Sequence, residues 1–202
     1  ALKLKPDYPQ AYAQIIGAYM SKNDRNGVIS TAKRWLKIDP NNETAGSTLR
    51  QYFYEDLWNN ITQRYYSKKD YEGAMAEFEA ACSGEPDTPE KLYWRGVLQR
   101  DIASFGAYGI EKDEVRRYYV DHAIADFEKV LQLIPPRVEQ RLVQVRIGAY
   151  LRLLGLYGNN MDKVLSTAKR MLEDYPSPEV KGIFAFHVKR AASSRFSPWT
   201  SG

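Results

Sequence analysis

The chain has 202 residues, of which 44% are apolar, 27% charged and 13% aromatic, including 15 tyrosines. This composition suits one folded domain or one stack of helical repeats, and it excludes wholesale disorder. A net charge of +4 is too small for a nucleic-acid-binding tail, the single Cys82 excludes an internal disulfide, and no apolar run is long enough to cross a membrane.

Regularly spaced prolines divide the first part of the chain. Pro6 and Pro40 are 40 − 6 = 34 residues apart. Residues 9–42 carry apolar side chains at helical spacing, which predicts two amphipathic helices that end at Pro40, because proline cannot continue a helix. These apolar residues are Tyr12, Ile15, Tyr19, Val28, Ala32 and Trp35.

The next unit, residues 43–88, contains surplus chain. Pro40 and Pro86 are 86 − 40 = 46 residues apart, 12 more than the first interval. The surplus lies in residues 41–54, where Asn42 can cap a helix and no helix breaker follows for several turns. We predict an extended first helix or a short extra helix here. The alternative is a protruding element that meets a partner.

Residues 55–88 resemble the tetratricopeptide repeat, a helical hairpin of about 34 residues. Eight side chains have the order and spacing of that family: Trp58, Ile61, Tyr65, Tyr71, Ala74, Phe78, Ala81 and Pro86. The resemblance implies antiparallel helix pairs that stack to share a core. It also implies that residues 1–8 are the tail of a preceding repeat, that residues 9–42 are a complete one, and that further repeats lie upstream.

Two later units match the family with irregular lengths. Residues 89–136 match at Ala123, Phe127, Val130 and Pro135, but Gly96 and Ala123 are 123 − 96 = 27 residues apart, where the family has about 12. This predicts an insertion of about 15 residues at 104–119. Residues 137–176 match at Val164, Ala168, Met171 and Pro176, with about one extra helical turn in the first helix.

The predicted insertion carries a basic aromatic patch, which consists of Arg116, Arg117, Tyr118 and Tyr119. Insertions in repeat proteins lie on one edge, and that edge often binds a partner. One interpretation is therefore that the patch contacts a partner. In the other, the tyrosines pack on neighbouring helices and the arginines are solvated.

A terminal helix is predicted over residues 177–196. Ser177-Pro178-Glu179 is typical of a helix start, and the helix contains Val180, Ile183, Phe184 and Val188. Residues 197–202 are predicted to be a disordered tail. The complete prediction is an all-α, right-handed superhelix of about four helix pairs with a C-terminal capping helix.

No pattern in the sequence indicates catalysis, and we expect neither enzyme activity nor a cofactor or metal. His122 and His187 are each isolated, without the spacing of metal ligands. Cys82 has no histidine near it in sequence, and Gly106 and Gly109 lack the pattern of a phosphate-binding loop.

The resemblance also implies which residues line the concave face, because the first helix of each pair does so in this family. Alignment gives these candidate partner-binding residues: Asn59, Asn60, Gln63, Tyr66, Tyr93, Trp94, Arg100, Arg146 and Arg152. Asparagines can pair with a peptide backbone, arginines with carboxylates, and aromatic rings with apolar side chains. For Trp94, a core position one register away remains an equal alternative.

The sequence therefore predicts a scaffold or adaptor that binds a protein, peptide or partner helix in its concave groove. The mildly basic charge favours an acidic partner. Ala13 and Gly17 stand where chaperone-tail-binding members have clamp residues, which disfavours that role. Two alternatives remain open: a module associated with RNA, which interspersed charges disfavour, and a self-association module. We expect a cytoplasmic location.

Overall fold

The computed structural model describes residues 8–40, 42–104, 110–136 and 140–195, and the side chains of all of these except 140, 141, 194 and 195. All secondary structure in these ranges is helical, which confirms the predicted all-α class. No helix in these ranges is long and apolar enough to span a membrane. The predicted repeat tail up to residue 7, residues 105–109 of the predicted insertion and the predicted disordered tail lie outside the described residues.

The helices follow one another with short connections. Their bounds are α1 Pro9–Ser21, α2 Arg25–Ile38, α3 Glu43–Leu49, a π-helical segment Arg50–Tyr54, α4 Glu55–Tyr65, α5 Tyr71–Ala81, α6 Pro89–Ala103, α7 Asp113–Leu133, α8 Gln140–Leu156, α9 Met161–Asp174 and α10 Pro178–Arg195. The predicted repeats 9–42, 43–88, 89–136 and 137–176 thus contain α1 and α2, α3 to α5, α6 and α7, and α8 and α9.

The chain divides into two compact units, residues 1–133 with α1–α7 and residues 134–202 with α8–α10. In the first unit α1 packs on α2, α4 on α5, and α6 on α7. In the second unit α9 packs on both α8 and α10. Each helix therefore buries its apolar face against a neighbour in the chain, as expected for helical hairpins.

The turn between α1 and α2 is held by backbone and side-chain hydrogen bonds. The Tyr19 carbonyl accepts a hydrogen bond from the Asp24 N–H at 2.9 Å. Asn23 has a left-handed conformation with φ of 54°. The Asp24 carboxylate caps α2 by accepting from the Gly27 N–H at 2.9 Å, so it satisfies one of the unpaired donors of the first turn.

The turn between α4 and α5 repeats this arrangement 65 − 19 = 46 residues later. The Tyr65 carbonyl accepts from the Asp70 N–H at 3.3 Å, and Lys69 has φ of 56°. The Asp70 carboxylate caps α5 through the Gly73 N–H at 2.8 Å. The two hairpins thus share one local structure, which is evidence for an internal repeat within the first unit.

The surplus chain before the second repeat lies in a continuous helical run over residues 43–65. The Asn42 side chain caps this run by accepting from the Ala45 N–H at 3.0 Å. Ala45, Gly46 and Leu49 are buried, and α3 packs against α2 and α6. The surplus residues therefore contribute to the core of the first unit, and α3 does not protrude from it.

Helices α6 and α7 form the most closely paired hairpin of the first unit. Thr88 caps α6 by accepting from the Lys91 N–H at 3.2 Å, directly before Pro89. The Arg95 guanidinium joins the two helices through paired hydrogen bonds of 2.8 and 2.6 Å to the Asp126 carboxylate. Such two-point pairing fixes the relative orientation of the two helices.

Candidate functional site

The predicted partner-binding residues of α4 lie on or beside its solvent-facing side. Asn60 and Gln63 are exposed and Asn59 is half-buried. Tyr66 follows the last residue of α4 and is 52% exposed. These four residues are therefore accessible to a partner in the first unit.

Two of the three predicted residues of α6, Tyr93 and Trp94, belong to an aromatic cluster. The Trp94 ring lies 6.1 Å from Trp58 and 5.7 Å from Tyr93, measured between ring centroids, and Tyr93 lies 5.8 Å from Phe127. Tyr93 and Trp94 are half-buried, and no acceptor in the described residues lies within hydrogen-bond distance of the buried Trp94 Nε1. Most of the Trp94 ring thus packs within the protein, which supports the core alternative more than the groove alternative.

Arg100 is paired within the protein. Its guanidinium donates to the Asp101 carboxylate through Nε at 2.9 Å. The same carboxylate accepts from the Trp58 indole Nε1 at 3.0 Å. A partner carboxylate would therefore have to compete with Asp101 for Arg100.

The four residues of the basic aromatic patch on α7 differ in their exposure to solvent. Tyr119 is buried and meets Tyr71 edge to face at 5.8 Å, as the packing interpretation expected. Arg116 donates to Asp113 at 3.0 Å and to the Ile110 carbonyl at 2.9 Å. Arg117 and Tyr118 are exposed, whereas Arg116 is half-buried. The nucleic-acid alternative accordingly has fewer accessible cations than the sequence suggested.

Arg146 requires a correction, because it is fully buried and not part of an accessible surface. Its Nε donates to Asp174 at 3.0 Å, and Nη2 donates to the Tyr150 hydroxyl at 3.1 Å. Nη1 donates to the Ile134 carbonyl, and burial raises the pKa of Tyr150. The extra turn in this unit made its register uncertain, and the actual register points Arg146 inward. Arg152, six residues later on α8, is half-exposed.

A groove that the sequence analysis did not identify lies between α8 and α10 in the second unit. Its volume is about 570 Å³, within the usual range for ligand-binding clefts. Helix α8 contributes Leu151, Leu154 and Gly155. Helix α10 contributes Glu179, Gly182, Ile183, Phe186, His187 and Arg190. We name this surface the α8–α10 groove.

Large apolar side chains of the α8–α10 groove remain in contact with water. Phe186 is 62% exposed and Leu151 is 44% exposed, whereas Val180 and Ala191 of α10 are buried. The spacing of Glu179, Gly182, Ile183, Phe186 and Arg190 places them on one face of α10, which is a signal that sequence reasoning could have used. Exposed apolar clusters of this kind mark interaction surfaces.

The charges of the α8–α10 groove lie at opposite ends of α10. A hydrogen bond from the Ser177 side chain lowers the pKa of Glu179, which is therefore ionised at neutral pH. Burial lowers the pKa of His187, and the charge of Arg190 lowers it further, so His187 is neutral there. The Arg190 guanidinium donates to the Gly158 carbonyl at 3.2 Å, a neutral acceptor that leaves its positive charge uncompensated. The groove thus has an anionic end at Glu179, an apolar centre and a cationic end at Arg190.

Comparison with known proteins assigns no family to this chain. No protein-family model matches it, and no curated protein matches it significantly. Within the described ranges, no cluster of three or more His, Cys, Asp or Glu side chains could hold a metal ion. The tetratricopeptide resemblance therefore rests on the residues of the chain itself.

Proposed function

We propose that this chain is a protein-binding module of the tetratricopeptide type, a scaffold or adaptor that holds a segment of a partner protein in the α8–α10 groove. The observation that carries the proposal is the solvent exposure of Phe186 and Leu151 on the two helices that form this groove. Covering them would release water from apolar surface, which contributes roughly 25 cal/mol for each Å² buried.

The repeated hairpin turn supports the tetratricopeptide type. Tyr19 and Tyr65 have the same turn hydrogen bonds, and Asp24 and Asp70 cap the following helices in the same way. An array of such hairpins would form the right-handed superhelix that the resemblance implies. Asn60, Gln63 and Tyr66, which are exposed in the first unit, would offer a second surface for a partner.

Peptide display on the full chain would test the proposal. Peptides selected on the wild-type protein should carry apolar anchors and bind Phe186→Ser at least about tenfold more weakly, because losing one aromatic anchor costs more than about 1.4 kcal/mol. Since Phe186 is mostly exposed, the melting temperature of the variant should stay within a few degrees of wild type.

Val188→Ser is the matched control, because Val188 is also an exposed apolar residue of α10 but does not line the groove. It should bind the selected peptides as the wild-type protein does. Selected peptides that bind Phe186→Ser as tightly as wild type would refute the groove as the binding site.

A further inference from the structure

We infer that the occupant of the α8–α10 groove is an amphipathic helix of another protein that lies antiparallel to α10, with its acidic first turn at Arg190 and its basic last turn at Glu179. This inference rests on the proposed function and makes it more specific. It commits to the secondary structure, the charge order and the direction of the bound segment.

The lining of the groove favours a helix over an extended peptide. All its lining residues lie inside α8 or α10, whose backbone groups are already engaged in helical hydrogen bonds. An extended peptide would therefore find no backbone edge to pair with, and its buried N–H and C=O groups would lack partners. A helix satisfies its own backbone and needs only an apolar face, as in other helix-in-groove complexes.

The length of the groove sets the length of the occupant. Glu179 and Arg190 are 190 − 179 = 11 residues apart on α10, which corresponds to about 16 Å at 1.5 Å per residue. A partner helix of about three turns spans this distance. Its apolar residues at i, i+3 or i+4, and i+7 would meet Leu151, Ile183 and Phe186 at the centre.

Two glycines leave room for a close approach of the partner. A Cβ atom added at Gly155 of α8 or Gly182 of α10 would have no heavy atom within 4 Å. Both positions are exposed and helical, where glycine is less favourable than alanine. The open space above them can therefore be filled by the side chains of a bound helix.

The charge order fixes the direction. Acidic residues in the first turn and basic residues in the last turn stabilise a helix, because these charges complement the helix dipole. Such a helix matches the groove only when its first turn lies near Arg190 and its last turn near Glu179. This direction is opposite to that of α10, which starts at Pro178. Antiparallel alignment also opposes the two helix dipoles, which is the favourable arrangement.

Two synthetic peptides test the inference on the full chain. Both are alanine-based helices of about 15 residues with three leucines on one face. One carries glutamates in the first turn and lysines in the last turn, and the other carries the reverse. Fluorescence polarisation at low ionic strength should show that the first peptide binds about tenfold more tightly, because the second turns two attractions into two repulsions.

The double variant Glu179→Arg, Arg190→Glu should invert this preference, since it exchanges the charges of the two ends. Equal binding of both peptides to the wild-type protein would overturn the inferred direction but leave the apolar groove as a binding site. Failure of both peptides to bind would overturn the inferred helical occupant, and the peptide display on Phe186→Ser would then decide the proposed function by itself.

Filling the groove provides an independent test that leaves both charges in place. Gly182→Leu should weaken binding of the first peptide by at least tenfold without loss of stability, because the new side chain enters open space. Gly17→Leu is the matched control, since Gly17 of α1 is also exposed and has no heavy atom within 4 Å of an added Cβ. Binding by Gly182→Leu at wild-type strength would overturn the inference.

A second copy of the chain is the competing occupant. Sedimentation velocity of the wild-type protein and Gly182→Leu separates the two cases. We expect both to sediment as monomers. A concentration-dependent dimer that Gly182→Leu abolishes would show that the groove binds another copy, and it would overturn the assignment to a different protein.

Discussion

At the scale of single residues, several positions are defined by a close approach that the sequence does not reveal. Gly27 lies in the first turn of α2 beneath the ring of Tyr19, and an added Cβ would lie 2.6 Å from both Cγ and Cε1 of that ring. Gly73 has the same relation to Tyr65 in the second hairpin, with 2.7 Å to Cε1. In both turns glycine is needed because a tyrosine ring occupies the space of a side chain.

Replacing Gly27 with alanine should therefore destabilise the protein by about 1–3 kcal/mol, because the ring of Tyr19 must move from its packed position. Gly17→Ala, in the preceding helix of the same hairpin, should instead stabilise by about 0.5–1 kcal/mol, because it removes backbone entropy without contact. Chemical denaturation measures the free energy of unfolding of both variants. A stabilising effect of Gly27→Ala would contradict the geometry of this turn.

Glu90 is a residue of the first unit whose ionisation between acidic and neutral pH is changed by folding. Its carboxyl group is buried in the first turn of α6, next to Gly46 of α3. Burial raises the pKa of Glu90 from 4.5 to about 7, while the charge of Arg50 lowers it and that of Glu43 raises it. The folded protein therefore binds a proton at Glu90 over a pH range in which the unfolded chain has lost it.

This difference predicts a stability that falls as pH rises from about 4.5 to about 7. In that window the folded state holds more protons than the unfolded state, so the free energy of unfolding decreases by up to roughly 3 kcal/mol. Glu90→Gln should lack this decrease and be more stable than wild type near pH 8. Urea denaturation of both proteins across this range isolates the contribution of Glu90, and parallel pH profiles would contradict it.

At the scale of elements, hairpins are joined by polar groups as well as by apolar faces. Arg146 of α8 bonds to Asp174 at the end of α9 and to the Ile134 carbonyl ahead of α8. Tyr150 donates its hydroxyl hydrogen to the same Asp174 carboxylate. Because the network is buried, each member depends on the others for its hydrogen bonds.

Arg146→Met should destabilise the protein by about 3–5 kcal/mol, because it leaves the mostly buried Asp174 without its cation. Lys169→Met is the matched control on α9. The Lys169–Glu173 ion pair has an N–O distance of 3.8 Å and both side chains are more than 60% exposed, so its loss should change stability by less than about 0.5 kcal/mol. Thermal unfolding compares the melting temperatures of the two variants with that of the wild-type protein. Similar decreases in both would contradict the buried network.

Helix positions could largely be predicted from the sequence, because their signals are local. Thr88-Pro89 and Ser177-Pro178 each start a helix in the structure, with the Thr88 and Ser177 hydroxyls accepting hydrogen bonds from the first turn. The side chains that face the core along the continuous helical run over residues 43–65 were harder to predict from the sequence. Its π-helical segment at Arg50–Tyr54 adds a residue to a helical turn and changes which side chains face the core, and no residue type marks such a segment.

At the scale of the whole molecule, the predicted site residues depend on register. Asn60 and Gln63 of α4 and Tyr66, which follows it, are exposed in the first unit, and their role in partner binding stays a prediction. Arg146 was placed through a unit with an extra turn, and a helix that gains about one turn changes the face on which each later residue lies. The α8–α10 groove was missed because it requires two helices that are distant in sequence.

The sequence alone determined the helical class, the helix starts and the spacing of the hairpins, because caps, prolines and apolar periodicity act over a few residues. Only the tertiary structure decided that Arg146 is buried, that burial raises the pKa of Glu90 and that Phe186 faces an open groove. These properties depend on which atoms from other helices surround a residue. Those neighbours are set by packing over the entire unit, and composition and spacing do not specify them.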